Sequence, residues 1–240
     1  MIPKIIHYCW FGDSEKSALH IECIESWKKY LPDYEIKEWN ESNFDVNTVA
    51  YVKQAYEAKK YAFVSDYARL YALYNFGGIY FDLDVEVKKN LDCFLEYDGV
   101  FSFESVNMIA SAVIFSIAHN KFIEEWLRSY KNRTFLTPNG YDLTANVCKI
   151  TEILKENGFL TNGETQIIDN ICLYEKNVFC PYGIGDDIKE INKDSYTIHW
   201  CEGSWFDKKK QNKLRLIKLI KRIVGTKNYY KILKKIKVGR

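Results

Sequence analysis

Apolar and polar residues along this chain follow two different periods, and the switching between them predicts its elements. Lys4 to Trp10 (KIIHYCW) is a short apolar run closed by Phe11-Gly12, the pattern of a buried strand and its turn. Glu15 to Tyr30 has helical spacing and stops at Leu31-Pro32, where proline forbids continuation. Tyr34 to Trp39 reads as a second strand and Thr48 to Lys59 as a second helix. From Ala62 to Phe76, Ala, Leu, Tyr and Arg recur at three- and four-residue steps, which predicts a helix, and Gly77-Gly78 supplies its stop. Ile79 to Val87 is rich in β-branched and aromatic residues and is predicted to be one strand. Along it Phe81, Leu83 and Val85 face one way, and Tyr80, Asp82, Asp84 and Glu86 the other. Further strands are expected at Val100–Glu104, Met108–Ile117, Val178–Tyr182 and Tyr196–Trp200. Helices are expected at Asn120–Tyr130 and Asp142–Asn157, the latter ending at Gly158.

This order predicts an α/β fold, an open and mostly parallel sheet with helices on both faces. In such sheets ligands bind beyond the carboxyl ends of the strands, and Asp82 and Asp84 lie late in theirs. Their like charges repel unless a cation or a hydrogen-bond network lies between them. The length of 240 residues suits one large domain with appendages, and a 47% hydrophobic composition supports a sizeable core. Seven scattered cysteines, without a Cys-x-x-Cys pair, read as small core residues in a reducing compartment. The chain opens without a signal-peptide pattern, and its longest mostly apolar run, Ile109–Ala118, is about half of what a membrane span needs. A cytoplasmic chain is the expectation.

The net charge of +2 conceals a division. Lys208–Arg240 holds 14 Lys and Arg and no acid, so the first 207 residues carry 20 basic against 32 acidic groups, a net of −12. A core of 1–207 and a basic tail of 208–240 are therefore expected, the tail seeking an anionic surface. Within it Leu214, Ile217, Ile220 and Val224 recur at helical spacing among Lys and Arg, which predicts an amphipathic helix that lies on a membrane or docks on the domain's own sheet.

Three constellations carry candidate chemistry. Ser65, Asp66 and Arg69 are neighbours on one helix face, as a surface ion pair or as a polar face aimed at a ligand. Trp10 ends the first strand, either as core or as a stacking surface for a base; His7 reads as a hydrogen-bonded core histidine. The string His199-Trp200-Cys201-Glu202-Gly203-Ser204-Trp205 contains metal-ligand types, and two Asp oxygens alone leave an octahedral Mg or Mn site incomplete.

Three strings, IPKIIHYCWFG, SDYARLYALYNFGGIYFDLDVEV and HWCEGSW, resemble glycosyltransferase family 32, the sugar-binding-region glycosyltransferases containing a DXD motif. The middle string is also similar to the glucosylating domain of large clostridial toxins. The resemblance implies a GT-A nucleotide-sugar-binding fold and metal-dependent retaining hexosyl transfer, using Mn or Mg, in surface polysaccharide synthesis. It implies that Trp10 stacks on the base with the backbone near Tyr8 and Cys9 at its edge, that Ser65 lies near the nucleoside, and that Asp66 and Arg69 hold the donor sugar. Tyr80 lines the nucleotide pocket, Asp82 touches ribose or sugar, Asp84 binds the metal, and Ser204-Trp205 match the family's ending. His199 stands at the family's usual histidine, so Asp82, Asp84 and His199 form the expected metal set, with Glu202 and Ser204 as other candidates. Expected partners are a nucleotide sugar, UDP-hexose before GDP-mannose, a glycan or lipid-linked oligosaccharide acceptor, and the inner face of the plasma membrane through the tail. Segments such as Asn107–Ala112 and Asn139–Thr144 are expected to build the acceptor half.

Two other classes compete. IYFDLDVEV also resembles the haloacid dehalogenase phosphatase signature, but Glu86 stands where that pattern wants Thr or Val. A basic membrane- or nucleic-acid-binding adaptor on an inert domain is the non-enzymatic reading.

Overall fold

A computed structural model of the chain describes residues 1–183 and 194–203, together with 212–213, 216–217, 219–220, 224–225 and 229. The chain opens with strand β1 (Ile5–Cys9), helix α1 (Ala18–Tyr30), strand β2 (Glu35–Trp39), and helices α2 (Ala50–Glu57) and α3 (Tyr61–Phe76). Strands β3 (Gly78–Phe81) and β4 (Val85–Val87) follow, then β5 (Gly99–Ser105), β6 (Met108–Ile109) and β7 (Val113–Ser116). Next come helix α4 (Lys121–Arg128), the hairpin of β8 (Leu136–Thr137) and β9 (Gly140–Tyr141), and helix α5 (Asn146–Glu156). Strands β10 (Gln166–Ile168) and β11 (Ile171–Tyr174), the short helix α6 (Lys176–Phe179) and strand β12 (Thr197–His199) complete the described elements.

The main sheet runs β10-β11-β5-β7-β3-β1-β2, with β6 on β5. From the pairings, β1, β2, β3, β5 and β11 point one way and β6, β7 and β10 the other, so the sheet is mostly parallel. Helices cover both faces, as the alternation predicted. One core packs Tyr51, Phe63, Leu70, Phe122, Trp126 and Ile150 from α2 to α5 against the sheet, and the other packs Trp27, Phe94 and Phe179.

Local chemistry explains the boundaries. Ser17 caps α1 by accepting from His20 N at 3.3 Å, while His20 Nδ1 accepts from Ser17 N at 3.2 Å. Helix α3 stops at Gly77 (φ 63°), and the next residue, Gly78 (φ 105°), leaves no room for a side chain, since a Cβ there meets Ile5 O at 2.5 Å.

Several expectations need correction. Ile79–Val87 is not one strand: β3 ends at Phe81, Asp82–Asp84 form a turn closed by Val85 N donating to Asp82 O at 3.0 Å, and β4 pairs with β12 instead. Helix α1 enforces the departure, because Trp27 Nε1 donates to Val85 O at 2.7 Å and Ser26 Oγ accepts from Val87 N at 2.9 Å. The alternating faces predicted for Tyr80 to Glu86 therefore do not exist. Met108–Ile117 likewise splits at 110–112, where the chain crosses from the side of β5 to that of β3: Ala110 N donates to Ser102 O, and Ala112 O accepts from Asp82 N. Val178–Tyr182, read as a strand, starts in α6; a short apolar run does not distinguish the two forms. The helix expected from Asp142 begins at Asn146, because the Asp142 carboxylate is held in a turn by Thr144 N at 3.1 Å and by Arg133 Nε at 2.7 Å. The pairs β8–β9 and β10–β11 were not foreseen.

Candidate active site

A cleft of about 680 Å³ opens over the carboxyl ends of β1, β3 and β5. Its centre is the turn after β3. One ligand atom each from Asp82, Asp84 and His199 lies within 4.8 Å of the others. The set was expected, but its mode of assembly was not. The turn presents Asp82 and Asp84, and β12 brings His199 across, pairing it with Val85. Trp200 N donates to Asp84 O at 3.0 Å and Glu202 N to Asp84 Oδ2 at 2.7 Å, so the segment after β12 is bound to the turn through Asp84.

Electrostatics within the cluster are strongly shaped by burial. His199 Nε2 lies 3.3 Å from Asp84 Oδ1. Burial works against ionising Asp84, but His199 and the Glu202 N–H outweigh it and hold the carboxyl at about 2. His199 is partly buried, which opposes its charge, yet Asp84 raises its pKa well above the usual histidine value. Two carboxylates and an imidazole are a donor set that suits Mn²⁺ and, in its oxygen atoms, Mg²⁺, and three protein ligands leave positions of an octahedron for substrate oxygens. The residues present therefore fit such an ion. Glu202 is not in the set: its carboxylate pairs with His20 Nε2 at 2.9 Å, and the His20 ring meets Trp10 edge-on at 5.1 Å. Ser204 and Trp205 lie outside the described residues, as does Leu214.

Ser65, Asp66 and Arg69 line the cleft beside this cluster. The surface ion pair is excluded, because Arg69 is only 4% exposed. Its guanidinium donates to Ser111 O at 2.7 Å, Asp66 Oδ1 at 2.8 Å and Ser65 O at 3.3 Å, lies 3.2 Å from Asp82 Oδ1, and stacks over the Tyr80 ring at 4.6 Å. Burial opposes its charge, but Asp82 and Asp66 more than compensate and fix it as a cation. Tyr80 donates its hydroxyl to Asp82 Oδ1 at 3.0 Å. Burial, partly offset by Arg69, raises Asp66 to about 6.

Trp10 and Cys9 line the far wall, the indole held by a 2.9 Å bond to Ser14 O, and burial pushes the Cys9 thiol up to about 12. The Tyr8 side chain points to the opposite core, packing on Trp27 at 5.5 Å and donating to Glu38. His7 is the core histidine expected: Trp39 Nε1 donates to its Nδ1 at 3.1 Å, so Nε2–H donates to Gly77 O at 2.8 Å.

Two cleft residues escaped the sequence reading. Asn146, at the start of α5, donates to Asp66 Oδ1 at 3.2 Å and accepts from Tyr130 OH at 3.1 Å. Nothing in its sequence surroundings marks it. Glu104 lines the cleft from β5, and a carboxylate inside the aromatic strand FSFES was a signal available in the sequence.

Residues 17–101, which contain the Asp82–Asp84 pair, match the family model described as glycosyltransferase sugar-binding region containing DXD motif. This stretch is similar to the sugar-binding region of DXD-containing glycosyltransferases. An uncharacterized glycosyltransferase, L373, of Acanthamoeba polyphaga mimivirus is 27% identical over 227 residues, covering 85% of this chain and 84% of that protein. Inositol phosphoceramide mannosyltransferase 3 of Schizosaccharomyces pombe is 28% identical over 138 residues, 56% of this chain. The chain spans 38% of that relative's length. Among solved structures, PaToxG glycosyltransferase overlays with a TM-score of 0.48 at 21% identity, over 65% of this chain and 69% of its own. The matched stretch runs from the N-cap of α1 to the third residue of β5, and Trp10, Glu104 and His199 join the cleft from outside it.

Proposed function

We propose that this chain is a metal-dependent, retaining GT-A hexosyltransferase that moves a sugar from a nucleotide sugar to a glycan acceptor in surface polysaccharide synthesis. The observation that carries this reading is the Asp82–Asp84–His199 cluster, set in a cleft between the Trp10 wall and the Asp66–Arg69 pair. Asp82, Asp84 and His199 would hold Mn²⁺ or Mg²⁺, which when bound neutralises charge on the departing nucleoside diphosphate. Trp10 offers the base a stacking face, and the cavity has the size of a small-ligand site. Asp66, kept in place by Arg69 and Asn146, accepts from donor-sugar hydroxyls, and Ser65 stands toward the nucleoside. Holding the reactants in register is itself worth several kcal/mol. The acceptor hydroxyl attacks the anomeric carbon on the face the diphosphate leaves. The new glycosidic bond forms as the old carbon–oxygen bond breaks, and the acceptor's proton passes to the departing phosphate oxygen.

The donor is a UDP-hexose, with GDP-mannose as the rival because one relative is named a mannosyltransferase. A lipid-linked acceptor and peripheral attachment to the inner face of the plasma membrane follow from the basic tail. No helix among the described residues is long and apolar enough to cross a membrane.

A thermal-shift screen of UDP-hexoses and GDP-mannose, with and without Mn²⁺, tests the reading. One nucleotide sugar is expected to raise the melting temperature by mass action, and Mn²⁺ to enlarge the shift. Asp84→Asn should remove the Mn²⁺-dependent part. A flat response to every nucleotide would overturn the assignment.

A further inference from the structure

Glu104 is turned into the cleft by a local irregularity of β5. The period of the strand puts Val100, Ser102 and Glu104 on one face. Val100 packs in the same core as Phe179 and Cys180, and Ser102 Oγ meets Cys180 Sγ at 3.9 Å. The pairing with β6 then shifts register: Phe103 faces Ile109 and Ser105 faces Met108, which leaves Glu104 as the extra residue of a bulge at the strand's carboxyl end. Bulges re-aim side chains, and they recur beside active sites. The carboxylate lines the cleft half-buried, and among the described residues it has no hydrogen-bond or ion-pair partner. Burial, only partly offset by His199, raises its pKa above the ordinary glutamate value. A partly desolvated carboxylate without donors is costly, and a ligand that brings donors relieves the cost.

Sheet order gives its place in the reaction. Across the cleft the strands run β1, β3, β7, β5. Trp10 follows β1, the Asp82–Asp84 turn follows β3, and Glu104 is the last residue but one of β5. With base on Trp10 and diphosphate at the turn, Glu104 stands beyond the diphosphate, on the side from which a second sugar enters.

We propose that Glu104 is an acceptor-binding residue, taking a hydrogen bond from a hydroxyl of the incoming glycan. The proposal rests on the nucleotide-sugar reading above, and its test separates the two. The protein is loaded with Mn²⁺ and UDP, or GDP if that is the nucleotide it binds, and methyl glucoside, galactoside and mannoside are titrated by saturation-transfer NMR. At least one glycoside is expected to bind the wild-type complex. Glu104→Ala should weaken that binding about tenfold or more. Glu104→Gln should weaken it less, because its amide oxygen still accepts. Nucleotide binding, read by thermal shift, should be unchanged in both variants. Glycoside affinity unchanged in Glu104→Ala overturns the proposal. So does a wild-type complex that binds nucleotide but none of the glycosides, which leaves the donor reading standing. Loss of nucleotide binding in both variants also overturns it, by placing Glu104 in the donor half.

Discussion

The two histidines of β1 and β12, His7 and His199, are driven to opposite protonation states by their neighbours. His199 faces a carboxylate and stays charged, whereas His7 faces an indole N–H and is buried without an anion. Burial, only partly countered by the bond to Gly77 O, lowers the His7 imidazole to about 4. The unfolded ring takes up its proton near 6.5, so above that pH neither state is charged and the contribution is whole. Between pH 6.5 and 4 the unfolded chain binds the proton first, and about 3 kcal/mol of stability drains away as pH falls. Urea midpoints measured across this range should fall with acid, and His7→Gln should flatten that part of the profile. Other residue roles were less readable. Arg69 looks like a free ligand-binding cation on its helix, yet the fold encloses it and gives its N–H groups to Ser65, Asp66 and Ser111. Only the packed molecule shows that the donors of Arg69 are engaged by the protein, whereas Asp66 keeps acceptor capacity for a ligand.

At the scale of elements, the informative event is the break between β3 and β4. Composition from Ile79 to Val87 is strand-like throughout, and nothing local marks Asp82 as an end. The end is imposed from 58 and 61 residues away in the sequence, where Trp27 and Ser26 supply the hydrogen bonds that β4 would otherwise find in the main sheet. Ser26→Ala leaves the buried Val87 N–H without its acceptor and should cost about 1–3 kcal/mol, read from urea unfolding. If the turn is held mainly from this side, the same variant should also weaken Mn²⁺ binding. The helices α3 and α4 were legible because their apolar positions repeat over two or more turns. Strands β10 and β11 were not, since their short runs carry little periodicity and their pairing is decided by β5.

Across the whole molecule, charge is divided between an acidic core and a basic tail. The described tail residues are helical at Ile217, Ile220 and Val224, which are half-buried, while Leu216 and Leu219 are more than half exposed. Exposed leucines beside lysines are what an interfacial helix offers an anionic bilayer. Full-length protein should therefore bind phosphatidylglycerol vesicles, more weakly as salt rises. Truncation after Asp207 should abolish vesicle binding and leave the nucleotide-induced thermal shift intact. Undiminished binding by the truncated chain would remove the membrane role.

The sequence by itself determined the elements with strong periodicity, the α/β class, the charge division and the identity of the acidic pair, because these depend on residue type and local spacing alone. Tertiary structure decided where β3 stops, how His199 is brought to the acidic pair, and that Asn146 faces the cleft. Each of these is set by hydrogen bonds and packing between segments from tens to more than a hundred residues apart, and such contacts leave no local pattern in the chain.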